Sequence, residues 1–150
     1  MRRATVTLPV SFTSGSRAGG IVEAAIQKLA ALFFFVIGVS HVAQPRAWAE
    51  FFIAVRGRGP AVAGFVNAFI HFPLGALIVA FHDVWTWPGV ALTLIGWGLV
   101  LKGFLSFVYP RHAVRQMERV SVERAWEFAV AGAIAVAFAG FCVFLLLRDG

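Results

Sequence analysis

Lys102 is the one full charge set well inside an apolar run long enough to cross a bilayer. In a span expected over residues 88–109, at about 1.5 Å per residue, it lies roughly 5 Å from the bilayer midplane. The preceding span, expected over residues 60–81, runs the opposite way from the same face, which puts Asn67 at nearly the same depth and His71 near the midplane. Asn67 and His71 are four apart and share a helix face. Pro73 has no amide hydrogen to give the carbonyl of Phe69, so that oxygen needs another partner. If lysine, asparagine, histidine and freed carbonyl meet inside a bundle, they form a polar pocket for an anionic or hydrogen-bonding ligand, or for a partner's carboxylate. Ionisable groups at this depth are functional candidates by default. The apolar runs hold no carboxylate at that depth to neutralise the lysine. In the competing arrangement Lys102 snorkels along its stem toward Arg111 and the headgroups, while Asn67 and His71 bond across helices. Insertion scales charge only about 3 kcal/mol for a central lysine.

The four histidines raise the question of haem or metal. Axial ligation of haem by two imidazoles needs them on different helices at matching depth, and zinc needs three or four converging ligands. Only His41 and His112 fall on the same side, both near a loop boundary, while His82 lies at the opposite face. No pair has the helical spacing of a metal site, so no metal and no cofactor is expected. Asp83 beside His82 reads as a turn residue, and Ser40 beside His41 has no acid to orient a base. Without a carboxylate pair, a nucleotide loop or a ligand cluster, the expectation is a protein that is not an enzyme. Cys142 is the single cysteine and cannot close an intrachain bridge.

The elements that must position these groups are written in the composition. Of 150 residues, 60% are hydrophobic and 13% charged, against roughly a quarter charged in soluble domains. Four spans of about 20 residues are expected, at 22–42, 60–81, 88–109 and 126–147, the length that a hydrocarbon core of about 30 Å demands. Pro60 and Pro88 are expected at first helical turns, where a missing amide hydrogen costs nothing. Pro45 and Pro110 follow spans one and three and end them. Residues 1–20, rich in Ser, Thr, Gly and Arg, read as a mobile tail. The fold class is therefore all-α, an integral membrane bundle of four transmembrane helices over residues 21–150.

The net charge of +6 lies in tails and loops beside apolar segments, so the expected partner is anionic lipid and not nucleic acid. Arg46, Arg56 and Arg58 in the first loop, and Arg111, Arg115 and Arg119 in the third, are candidate headgroup contacts. With Arg124 they put seven arginines on one side, against Arg2, Arg3, Arg17 and Arg148 on the other. The positive-inside rule then makes loops one and three cytoplasmic and both termini external. Each basic loop has the pattern of a short amphipathic helix lying in the interface. Trp48, Phe51, Phe52 and Val55 share one face in the first, and Val114, Met117 and Val120 oppose the arginines in the third. Span four is small on nearly every side, from Ala129 to Gly140, which suits a central helix or one packed on a partner protein.

Sliding the chain by 65 residues lays Gly38 on Gly103, Pro45-Arg46 on Pro110-Arg111 and Gly75 on Gly140. Spans one and two fall on three and four, so residues 21–83 and 84–148 read as two repeated hairpins, with any site between the halves. The run Gly103, then Phe104 through Val108, then Tyr109-Pro110-Arg111, and the run Pro45-Arg46-Ala47-Trp48, resemble the YjeT-like small two-span bacterial inner-membrane proteins. Lys102 stands where that family often has an acidic residue. The resemblance covers about 60 residues per half and implies a tandem duplication in a bacterial inner membrane, with no known chemistry attached. The function expected is that of an accessory, assembly or lipid-interacting component, joined to other membrane subunits or to copies of itself. A small-solute carrier or channel using Lys102, Asn67 and His71 is the first alternative, and a cofactor-binding redox subunit using His41, His112 or His71 the second.

Overall fold

The computed structural model describes residues 14–149. Its elements are α1 (Ser14–Ala43), α2 (Pro45–Gly57), α3 (Pro60–Phe81), α4 (Val90–Val108), α5 (Pro110–Met117) and α6 (Trp126–Asp149). Four of them, α1, α3, α4 and α6, are long and apolar enough to cross a membrane. The chain is an all-α integral membrane protein.

Prolines set most of the boundaries. Pro45, Pro60 and Pro110 each open a helix in its first turn, where the ring's fixed φ is already helical. The residue before each cannot stay in the α region. Gln44 and Tyr109 accordingly sit at φ −135° and −126°, and Gly59 turns the chain at φ 96°, which favours glycine. Pro88 departs from the expectation. The third span begins at Val90, and Pro88 lies in the preceding turn, where the Val90 amide donates to the Thr86 carbonyl. Proline serves turns as readily as helix starts, so its presence alone does not separate the two. At the other end, α1 reaches back to Ser14, so residues 14–20 of the expected tail are helical. Residues 1–13 lie outside the described residues.

α1 packs along α6, and α3 along α4, while α1 meets α3 less extensively and α4 and α6 do not pack as a pair. At the α1–α6 crossing a Cβ on Gly38 would stand 2.7 Å from the Gly132 carbonyl oxygen, and one on Gly132 would stand 2.6 Å from that of Gly38. Only glycine lets the backbones approach this closely. Among the described residues two apolar cores result. One joins Ile26, Ala30, Leu74, Ile78, Leu92 and Cys142 toward the end where α3 turns into α4. The other joins Val55, Ala63 and Met117, with Phe52, Val66 and Val114 against them, at the end closed by α2 and α5.

Both basic loops contain a helix, and the apolar face of each meets the bundle end. Val120 falls beyond α5, its amide bonded to the Met117 carbonyl. Arg46, Arg58, Arg111, Arg115 and Arg119 are exposed, whereas Arg56 is half-buried and its Nη1 donates to the Met117 carbonyl at 2.7 Å. That bond ties α2 to the open end of α5. A charged donor on a carbonyl contributes about 1.5 to 3 kcal/mol, so Arg56→Ala is expected to speed amide exchange in α5 roughly tenfold. Exchange in α5 as slow as in the wild type would show that the bond holds nothing in place.

Candidate ligand-binding cavity

Lys102, Asn67 and His71 line one cavity of about 380 Å³, with walls drawn from all six helices. Its far end is the first apolar core, on which Phe33, Phe34 and Leu99 pack. Phe52 and Met117, from the second core, close the end under α2 and α5. Both halves of the chain contribute, and the walls are mainly aromatic and aliphatic with a few convergent polar groups. That is the usual make-up of a small-molecule site, and the volume falls at the low end of the usual range of about 300 to 1,000 Å³.

Each polar group is held by its own helix or by a neighbour. The His71 Nδ1 lies 2.6 Å from the Asn67 carbonyl. A carbonyl can only accept, so Nδ1 carries the proton and Nε2 of the neutral ring is left as an acceptor. The Asn67 side chain, 5% exposed, donates through Nδ2 to Ser106 Oγ at 2.7 Å, and Ser106 donates to the Lys102 carbonyl at 2.8 Å. This relay fixes the facing of α3 against α4 one turn from the lysine. The Lys102 ammonium lies within electrostatic reach of His71, and among the described residues no carboxylate lines the cavity. Removing the relay with Ser106→Ala is expected to destabilise the α3–α4 pair by about 1 kcal/mol, the size of buried hydrogen bonds between membrane helices. Unfolding in a denaturing detergent series measures it, and no change would mean that Asn67 finds an equal partner.

Sequence reasoning missed three parts of this arrangement. Ser106 follows Lys102 by one helical turn, a spacing that could have flagged it. His41 also lines the cavity; its Nδ1 donates to the Ile37 carbonyl at 2.8 Å and its ring stacks on Trp48 at 4.2 Å. Trp48 in turn donates to Ser40 Oγ at 3.0 Å, so the residue expected on an interfacial face is turned inward. The third part lies at the other end of the bundle. His82 is fully buried, bonded to Thr93 Oγ1 at 3.1 Å, and its Nε2 is 3.8 Å from Glu23. This cluster ties α1 to the turn between α3 and α4.

The histidines do not converge on an ion or an iron. His41 is two residues from the end of α1 and His71 eleven from the start of α3, a depth difference of about 13 Å at the helical rise. His112 is exposed on α5 and accepts from Gln116 at 3.0 Å. Among the described residues no group of three His, Cys, Asp or Glu could hold a metal ion. Compared with protein-family models, curated proteins and solved structures, the chain matches none. The geometry of the cavity is thus the ground for a functional reading.

Proposed function

We propose that the chain is a non-enzymatic, lipid-interacting membrane protein that holds a small amphipathic anion inside its bundle. The observation that carries this reading is the meeting of Lys102, His71 and Asn67 in one largely apolar cavity that no carboxylate lines among the described residues. A bound anion supplies the missing charge and accepts from the ammonium, while the aromatic walls take its apolar part. Native mass spectrometry of the gently extracted protein tests it. A retained small anionic mass that Lys102→Ala removes supports the reading, and a protein that binds nothing from its membrane defeats it.

A second reading, an accessory subunit of a larger complex, is favoured by Ala133, Ala137 and Gly140, which recur on an exposed face of α6. Such small residues let another helix approach closely. The same mass spectrum separates the two, since a defined heteromeric complex names its partner by mass. The basic residues around α2 and α5 and the resemblance to YjeT-like proteins support a bacterial inner membrane with that face cytoplasmic. On this topology a cysteine at Asp83 is labelled by a membrane-impermeant maleimide added outside the cell, and one at Arg58 is not. The opposite pattern would invert the protein in the bilayer.

A further inference from the structure

The cavity is closed at both ends but not around its circumference. Above and below it stand the two apolar cores, and α1 with α6 and α3 with α4 form packed walls. α4 and α6 do not pack as a pair, and it is there that Lys102 and Ala131 both line the cavity and remain exposed. Both residues belong to helices apolar and long enough to span a membrane. What stands outside this opening is therefore hydrocarbon, and a ligand that passes it must already be dissolved in lipid.

From this opening, and resting on the binding reading above, we infer that the cavity is loaded sideways between α4 and α6 and that its ligand is a single-chain lipid carboxylic acid. One lysine, with no arginine and no carboxylate on the walls among the described residues, matches one negative charge; a phosphate headgroup would call for a richer set of donors. The acid can be held in either state: Lys102 donates to a carboxyl oxygen, and the Nε2 of His71 accepts from the O–H of the protonated form. A volume of about 380 Å³ closed above and below takes one chain along Phe33, Phe34, Phe52 and Phe128, and not the two chains of a phospholipid. The exposed arginines around α2 and α5 raise the local concentration of acidic lipids in the adjoining leaflet, each contributing about 1 kcal/mol near an anionic surface.

The test uses the full chain in zwitterionic nanodiscs and palmitic acid carrying a photoactivatable diazirine on its chain, with labelled peptides identified by mass spectrometry. Saturable labelling of α6 around Ala131 and Ala135 is expected, at least tenfold lower in Lys102→Gln. Unlabelled palmitic acid should displace the probe, whereas butyrate and hexadecanol should not. Ala131→Leu, with Ala131→Val as the milder variant, narrows the opening and is expected to slow loading severalfold, read as the rate at which each variant approaches its own final labelling. Displacement by butyrate would put the source in water and overturn lateral loading with the binding site intact. Displacement by hexadecanol would overturn the carboxylic acid, and unslowed loading in both Ala131 variants would overturn the route. No saturable labelling by the acid in the wild type would overturn the binding reading itself.

Discussion

Lys102→Ala is expected to weaken the binding of a long-chain acid by tenfold or more while leaving the bundle folded. A hydrogen bond to a charged group is worth about 1.5 to 3 kcal/mol, which is roughly 10- to 150-fold in affinity at 1.4 kcal/mol per factor of ten. The asymmetry between binding and stability follows from what the side chain does in the protein. Among the described residues no ion pair joins Lys102 to a carboxylate, and the relay from Asn67 through Ser106 ends on its backbone carbonyl. Alanine keeps that carbonyl and removes only the ammonium. Removing a charge from an apolar span is itself favourable by up to about 3 kcal/mol, so the variant should be at least as stable as the wild type. Lys102→Arg keeps the charge but presents a planar fork where a compact ammonium fitted, and it should fall between the two. Titration calorimetry with palmitic acid in detergent reads the affinity, and a thermal melt of the same samples reads the fold. If Lys102→Ala binds as tightly as the wild type, the lysine is a snorkelling residue and the cavity has another purpose. If it unfolds, the ammonium has a structural partner that the geometry does not reveal.

The elements were legible because hydropathy and proline act locally. A run of apolar residues with the length of a bilayer has few alternatives to a spanning helix, and Pro45, Pro60 and Pro110 fix starts whatever the rest of the chain does. Lys102, Asn67 and His71 could be grouped for a similar reason, since depth follows from counting residues along antiparallel neighbours. Rotation about the helix axis and the choice of partner helix do not follow from counting. That α1 pairs with α6, and so turns His41 and Trp48 into the cavity, depends on contacts between residues about a hundred positions apart. The pairing of Glu23 with His82 escaped notice likewise, because a carboxylate near the end of a span reads as a boundary until its partner is seen.

On the proposed duplication, contacts that no alignment of residue types exposes fall in corresponding places. His41 of α1 lies against Gly132 of α6, and Ser106 of α4 is bonded to Asn67 of α3. Adding 65 to His41 gives Ser106, and adding 65 to Asn67 gives Gly132, so the two crossings correspond under the same offset that superimposes the Pro-Arg pairs. Each of the two polar side chains also bonds the carbonyl four residues earlier, Ile37 in one half and Lys102 in the other. On the proposed duplication, the halves differ where function would need them to differ. One carries a stacked imidazole, and the other carries the lysine and its relay.

Gly132→Leu is expected to break the α1–α6 pair. A Cβ at this position meets the Gly38 carbonyl oxygen at 2.6 Å and the His41 Cβ at 2.7 Å. The first is backbone and cannot swing away, so the helices must separate along the crossing. Overpacking in a well-filled core costs about 1 to 3 kcal/mol where neighbours can adjust, and here the adjustment also forfeits the close packing that drives association of helices in lipid. A loss of about 3 kcal/mol or more, read as a lowered midpoint in a denaturing detergent titration, is the expected result. The cavity should suffer with it, because His41, Ala131 and Ala135 stand on the two helices that are forced apart. Gly140→Leu is the matched control: it lies on the same helix eight residues on, where a Cβ meets nothing within 4 Å, and it should leave the midpoint unchanged. In the sequence the two glycines look alike, each one small residue in an alanine-rich span. If both leucines are tolerated equally, α1 and α6 do not cross at Gly38 and Gly132, and that crossing does not wall the cavity.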